Sequence, residues 1–368
     1  MKTIVVKVGA TTVTDDHLRL RRRLLSGLVA EVAGLVHGGD RVVLVSSGAI
    51  ACGQHVLGMS ERPRLVPALQ AASAVGQGRL FSHYERLFSD HELAAAQVLL
   101  ASDDFARHTS YVNARSTLRR LLAWGVVPVV NENDTTATDE IRFGDNDVLS
   151  AQVAMMLRAE MLILLTDQDG LLAGDPQCDP AASLVDRIIH PRELARLHAG
   201  AESRRGADGM REKVAAALMA SAANVTTVIA NGSRPGVLTA AVRGRRVGTL
   251  VPPCPSGASD FKLWLRYAKP LSGTVEVDEG AVRALVSGGG SLLPVGVRAV
   301  HGGFAAGDAV AVVGFHGVEV ARGLTTMSSR DLRRVQGLRS EDVRAINPHL
   351  EEEVLHRDRL VLVGTADL

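Results

Sequence analysis

Two lysines and an acidic, amide-rich segment between them carry most of the chemistry available to this sequence. Lys7 ends a short apolar run in Ile4-Val-Val-Lys-Val-Gly-Ala-Thr-Thr12. A lysine at the carboxyl end of a buried strand is unusual as packing. Ligands of open α/β sheets bind beyond those carboxyl ends, and Gly9 lets backbone N–H groups approach a phosphate. The plain alternative is an edge lysine whose ammonium reaches solvent. Lys213 lies in Gly206-Ala-Asp-Gly-Met-Arg-Glu-Lys213. That segment reads as the start of a helix with Lys213 in its first turn, opposed to the helix dipole. A bound phosphate would remove the conflict, and an exposed surface lysine is the alternative.

Between the lysines come Asn131-Glu-Asn-Asp-Thr-Thr-Ala-Thr138 and Glu140-Ile-Arg-Phe-Gly-Asp-Asn-Asp-Val148. This stretch leaves an apolar, β-branched run and ends at Asp145-Asn-Asp147, just before an apolar helix. Such an arrangement presents carboxylates, amides and helix N–H groups together to a polar ligand. Ser46-Ser-Gly-Ala-Ile50 follows another apolar run and offers hydroxyls and N–H donors to an anion, or a simple helix cap. Leu165-Thr-Asp-Gln-Asp-Gly-Leu171 and Gly174-Asp-Pro176 have the same strand-end character. The sequence contains neither a Gly-Lys pair nor G-x-G-x-x-G, so a nucleotide would be held by another scheme than a Walker A or Rossmann loop. Lysines arriving from different parts of one sheet suit phosphoryl transfer, which is mainly positioning and charge stabilisation.

The elements that must position these residues follow from periodicity. Short apolar runs at Ile4–Val6, Val42–Val45, Val126–Val130, Met161–Leu165 and Val225–Ala230 lack polar alternation, which predicts strands buried on both faces. Helix-like stretches, Leu18–Val36, Asp147–Leu157 and Gly209–Ala223, alternate with them. The fold class expected is α/β, a parallel-rich sheet sandwiched by helices. Arg21, Arg22 and Arg23 read better as a solvated helix face than as a phosphate patch. Past a Pro-rich linker, Val251–Asp260, the strands become short and Gly-bounded: Gly273–Val277, Val295–Val300, Ala309–Val313, Val318–Ala321 and Arg359–Val363. With helices at Glu279–Val286 and Ser329–Gln336, this predicts a small, mostly-β, barrel-like module. The expected domains are 1–255, a connector 256–270, a module 271–352 and a terminal strand or tail 353–368.

Composition narrows the class. At 368 residues the chain has room for two domains or more. Apolar residues at 46% and charged residues at 22% exclude wholesale disorder. A formal net charge of +1 gives no strong field for nucleic acid or membrane. Cys52, Cys178 and Cys254 are too scattered for a zinc site or a disulfide framework, so a reducing cytoplasm is the expected compartment. No membrane span or signal peptide is expected, because Lys7 interrupts the first apolar run. Val214–Ser233, the longest uncharged run noted, reads as helix, turn and strand.

Taken together, Lys7-Val-Gly9, Ser46-Ser-Gly-Ala-Ile50, Asn131-Glu-Asn-Asp134, Gly144-Asp-Asn-Asp147, Leu165-Thr-Asp-Gln168 and Gly209-Met210 with Lys213 resemble the amino acid kinase family, in its glutamate 5-kinase branch. The resemblance covers essentially the whole length. The tail, with Val277-Asp-Glu-Gly-Ala281 and Ser291-Leu-Leu-Pro294, resembles the PUA domain. The resemblance implies ATP-dependent phosphorylation of the γ-carboxylate of L-glutamate, the first step of proline biosynthesis, with Mg²⁺ accompanying ATP and proline as feedback inhibitor. It implies a homo-oligomer, no resident metal site, and Lys7 and Lys213 as the grip on the transferring phosphoryl group, oriented by Asp147. Ser47, Asp134, Asn146, Asp145 and Asn131 would hold glutamate. Lys7, Gly9, Thr166, Asp167, Gly209, Met210 and Lys213 would hold ATP. Two stretches depart from the family pattern: Gly9-Ala-Thr11, where Gly-Thr-Ser is expected, and Gly206–Lys213, where Ala207 and Glu212 replace hydroxyl residues and Asp208 adds a charge.

Two rival readings remain at this point. Another amino acid kinase, such as acetylglutamate kinase, is disfavoured by the Asn131–Asp147 loop and the tail. An RNA-binding protein is the rival from another class. From Leu271 to Leu368 there are 10 Arg and no Lys against 13 Asp and Glu, and Phe304 and Phe315 are the only aromatics. RNA binders show a basic face and stacking aromatics, so an RNA partner is unsupported by charge, a local patch at Arg330, Arg333 and Arg334 aside.

Overall fold

The computed structural model describes residues 1–101, 104–105, 107–136, 146–173, 182–188, 208–267, 269, 271–315, 317–347 and 350–363. They fall into two compact units, Met1–Asp260 and Phe261–Leu368.

The first unit is built on seven strands: β1 (Thr3–Val8), β2 (Arg41–Ser46), β3 (Ala95–Leu100), β4 (Val127–Glu132), β5 (Met161–Thr166), β6 (Thr226–Asn231) and β7 (Thr249–Val251). Their order is β3-β4-β2-β1-β5-β6-β7. Every neighbouring pair is parallel except β6–β7. β1 and β4 are buried along their full length, as continuous apolar runs between two helical layers should be. Ile4, Val6, Leu44 and Ile163 pack with Leu25, Val29 and Val32 of the helix Arg22–His37. That helix starts after Arg21, and Arg22 and Arg23 face solvent. The chain leaves β1 for β2 on one side and later returns to place β5 on the other. Strand order therefore reverses at β1, the position where α/β sheets open a crevice for ligands. Register brings Val8 level with Ser46 on one side and Leu165 on the other, so the carboxyl ends of these three strands share one rim.

Periodicity missed part of this unit. β3, with Ala95, Ala96 and Gln97, has poor strand propensity, and only Leu100 in it is buried, because it is an edge. β7 ends on Val251, the first residue of the stretch that composition marked as a linker, and 252–259 form no helix or strand. The 24-residue helix Val66–Ser89 was hidden by Gly76 and Gly78, which read locally as breakers. Gly76 is there for packing. A Cβ on it would lie 1.9 Å from the Ala49 carbonyl oxygen, and one on Gly53 would lie 1.8 Å from that of Ala72. These two glycines let Val66–Ser89 lie directly against the helix Ala49–Val56, behind the Ser46–Gly48 turn.

The second unit carries β8 (Leu271–Val277), β9 (Val297–Gly302), β10 (Ala309–Val313), β11 (Glu319–Thr325) and β12 (Leu355–Leu362), in the order β12-β11-β10-β8-β9. It is antiparallel apart from β8–β10. Val275, Val310, Val312 and Leu355 form its core with Leu285 and Leu332 from the helices Glu279–Gly288 and Ser329–Val335. Asp278 and Ser328 cap those helices by accepting from the N–H of Ala281 and Asp331. The helix Asp260–Tyr267 occupies part of the 256–270 segment. No described helix is long and apolar enough to cross a membrane.

The glycine contact gives a stability test. Gly76→Ala forces backbone apart at the crossing and should destabilise the first unit by about 1–3 kcal/mol, the usual range for overpacking. A lower urea midpoint is expected, and an unchanged one would show that the helices separate without penalty.

Candidate functional site

The rim of the sheet holds a buried charge cluster. Lys7, on β1, has its side chain almost wholly buried, and its Nζ lies 2.7 Å from Asp147 Oδ1. Lys213 Nζ lies 3.0 Å from Asp147 Oδ2. Asp147 has no exposure at all. It is the first residue of the helix Asp147–Leu157, where the helix dipole favours an anion. One carboxylate thus holds two ammonium groups from opposite ends of the first unit, one on each oxygen. Lys213 is not in a first turn. Its helix begins at Asp208 and places it in the second, so its partner at hand is Asp147 rather than its own helix start.

Beside this cluster runs a chain of amides. Asn146 occupies the N-cap of Asp147–Leu157, yet its side chain caps nothing. Its Nδ2 instead donates to the Ser46 carbonyl at 2.8 Å and to Asn131 Oδ1 at 2.6 Å. Asn131 Oδ1 also accepts from the N–H of Glu132 at 2.9 Å, and its Nδ2 donates to Gln77 Oε1 at 2.5 Å. Nearby, Ser73 Oγ donates to Asp134 Oδ2. Tyr84 Oη and Ser46 Oγ share a hydrogen bond of 3.0 Å. Burial raises Asp134 above the usual carboxylate range, against the opposing pull of the Ser73 bond and the Arg62 charge. Burial, then the nearby Asp134 charge, pushes Glu132 up to about 7.

These groups flank a cavity of about 510 Å³ whose wall includes Ser47, Asn131, Asp134, Asn146 and Asp167. Ser47 Oγ is buried and has no hydrogen-bond partner among the described residues, which leaves it available to a ligand. Arg21, Gln54 and Arg62 stand on the same wall. Lys7, Lys213, Asp147, Thr166 and Gly9 do not line it. Gly9 caps the short helix Ala10–Val13, and a Cβ on it would sit 3.3 Å from the Leu165 carbonyl oxygen. Thr166 Oγ1 donates to the exposed Asp167 at 3.1 Å. Gly209 and Met210 contribute backbone to the helix Asp208–Ala222. Asp145, Gly174–Pro176, Gly206 and Ala207 lie outside the described residues, as do the side chains of Asp208, Met210 and Arg211.

Sequence reasoning passed over the contribution of Val66–Ser89, namely Ser73, Gln77 and Tyr84. The signal was present. These polar residues recur at helical spacing on one face of that helix, and all three are buried. Polar groups in that pattern ask for partners, but the helix itself went unrecognised.

Compared with known proteins, residues 2–231 match the model of the amino acid kinase family, and residues 273–346 match that of the PUA domain. Glutamate 5-kinase of Burkholderia multivorans is 46% identical over 364 residues, 98% of this chain and 98% of that one. Glutamate 5-kinase of Caldanaerobacter subterraneus subsp. tengcongensis is 40% identical over 362 residues, 98% of this chain and 97% of that one. N-acetylglutamate synthase from Neisseria gonorrhoeae, solved with coenzyme A and N-acetyl-glutamate, shares the fold. Its TM-score is 0.51 at 18% identity, over 69% of this chain and 60% of that one.

Glu132 supplies a pH test. Its folded pKa of about 7 lies above the ordinary 4.5, so the folded state holds a proton that the unfolded chain releases at lower pH. The stability this gives is present below pH 4.5 and is lost as pH rises through about 7. Glu132→Gln removes the dependence. Its melting temperature should gain on the wild type between pH 5 and pH 8, whereas a constant gap would contradict the raised value.

Proposed function

The chain belongs to the amino acid kinase family, and we propose that it transfers the γ-phosphoryl group of ATP to the γ-carboxylate of L-glutamate, giving γ-glutamyl phosphate and ADP. This is the entry reaction to proline synthesis. The observation that carries the reading is the convergence of Lys7 and Lys213 on Asp147, beside a cavity lined by carboxylate, amide and hydroxyl groups.

The chemistry requires two anions to meet. The γ-carboxylate of glutamate is ionised at neutral pH and needs no general base. One of its oxygens attacks the γ-phosphorus in line, and the bond from that phosphorus to the β-bridging oxygen breaks, leaving ADP with the electron pair. The protein's task is to place the reactants and to offset negative charge. Lys7 and Lys213 do the second, reaching the transferring group from two sides. Asp147 holds both ammonium groups in place and is itself a positioning residue. Ser47 and Asn131 stand ready for the carboxylate end of glutamate, and Asp134 and Asn146 for its ammonium, with Asp145 at the same loop. Gly9, Thr166, Asp167 and the Gly209–Lys213 segment hold ATP. Ala10, Ala207 and Glu212 supply no hydroxyl to the nucleotide, so its phosphates rest on backbone N–H groups and the lysines.

Mg²⁺ accompanies ATP in this reading and would screen the phosphate charge. Among the described residues no three carboxylates, histidines or cysteines gather into a metal cage. Asp167, an exposed carboxylate one residue past β5 on the cavity wall, would hold such an ion, which keeps several waters when it accompanies a nucleotide. Proline shares the α-carboxylate and amino nitrogen of glutamate, so the same cavity groups suit it as a feedback inhibitor. A cytoplasmic site of action follows from the metabolites used.

ADP release measured with glutamate, N-acetylglutamate and aspartate side by side tests the reading. Turnover with glutamate is expected to exceed the other two, and preference for N-acetylglutamate would overturn the assignment. Lys213→Ala should lower kcat by more than about tenfold with a modest change in glutamate KM, the mark of a transition-state contact. A near-normal kcat would remove Lys213 from the mechanism.

A further inference from the structure

We propose that Gln77 is a positioning residue that acts through Asn131 to hold Asn146 with its amide oxygen toward the cavity, so that the site selects substrates bearing a free ammonium group. The inference rests on the reading of this cavity as the amino acid site.

The polarity of the amide chain is fixed at both ends by backbone. The Ser46 carbonyl can only accept, so the Asn146 atom facing it at 2.8 Å is Nδ2. The Glu132 N–H can only donate, so the Asn131 atom facing it at 2.9 Å is Oδ1. That Oδ1 takes the second Asn146 hydrogen at 2.6 Å. Both hydrogens of Asn146 are then engaged, and its N-cap position leaves the side chain uncommitted to its own helix. What Asn146 offers to the cavity is an acceptor. Asp134, on the same wall, is also an acceptor. Two acceptors on one wall match an ammonium and mismatch an acylated or absent amine.

Gln77 closes the chain. Its Oε1 accepts the Asn131 Nδ2 at 2.5 Å, and both residues are buried. Without that acceptor Asn131 must either bury an unpaired N–H or turn over. Turning over sets N–H against N–H at Asn146 and at the Glu132 backbone, and Asn146 loses its fixed face. Gln77 reaches this position because Gly76 and Gly53 let its helix lie against Ala49–Val56.

The experiment uses the full chain and two variants, Gln77→Met, which keeps the shape and removes the acceptor, and Gln77→Glu, which keeps an acceptor. The readouts are kcat and KM for glutamate, and Ki for glutarate, which lacks the amino group, as a competitor. In Gln77→Met, glutamate KM should rise by about tenfold, in line with weakening one charge-assisted hydrogen bond. Its kcat should change by less than about threefold and glutarate Ki by less than about twofold. Gln77→Glu should retain the wild-type ratio of glutarate Ki to glutamate KM. That ratio does not depend on the folded fraction of a preparation. Equal weakening of glutamate and glutarate in Gln77→Met, no change in either, or loss of the ratio in Gln77→Glu would overturn the proposal. Wild-type chain that does not turn over glutamate would instead overturn the reading beneath it.

Discussion

The buried carboxylate of Asp147 is the constraint on which the rest of the site depends. A charge with no solvent exposure is tolerated only with close partners, and Asp147 has them in Lys7 and Lys213. Reciprocally, it supplies each buried lysine with a counter-charge. The cluster ties β1 to two helices that begin about 60 residues apart, Asp147–Leu157 and Asp208–Ala222. A buried ion pair is weak evidence for net stability, because two well-packed apolar residues often serve as well. Its retention at a ligand-binding rim is therefore better explained by chemistry. Ammonium groups held rigidly on a carboxylate need little reorganisation when charge shifts on a transferring phosphoryl group.

The sheet supplies the geometry that makes the cluster useful. Parallel strands in register bring Val8, Ser46 and Leu165 to one rim, and the reversal of order at β1 opens the crevice there. Candidate ligand groups lie at and just past the strand ends: Ser47 after β2, the Asn131–Asp134 segment at the end of β4, and Thr166 and Asp167 where β5 ends. The helix Val66–Ser89 stands behind them. Through Ser73, Gln77 and Tyr84 it bonds to Asp134, Asn131 and Ser46 in turn. Thus an element that lines little of the cavity still determines which way its polar groups face.

Much of this was legible in the sequence, for identifiable reasons. The strands β1, β2, β4, β5 and β6 each contain a short apolar run without polar alternation, and their burial and parallel pairing follow from that pattern. Lys7 stood out because a strand end is an unnatural place to bury an ammonium. Its partnership with Asp147 could not be read from periodicity, since 140 residues of chain separate them, and only the family resemblance suggested it. β3 was lost because an edge strand needs no continuous apolar face. Val66–Ser89 was lost because its Gly76 serves a close helix crossing and not a turn, a distinction that exists only in three dimensions. Losing that helix also concealed the second layer of polar groups.

The placement of the cluster also bears on the departures from the family pattern near the nucleotide. Of the departing positions, Ala10 opens the short helix Ala10–Val13, where backbone N–H groups can serve a phosphate in place of a side chain; Glu212 lies on the helix Asp208–Ala222 next to Lys213, and Ala207 lies outside the described residues. Lys7 and Lys213 are fixed by the packing of their elements: β1 is buried along its whole length, and Val214, Ala216 and Ala217 hold the helix beyond Lys213 in the core. On the proposed reading, substitution at Ala10 or Glu212 alters how the nucleotide is held without removing either lysine from Asp147. A site whose charged end is fixed by packing within strand and helix can then vary its nucleotide contacts while keeping its phosphoryl chemistry.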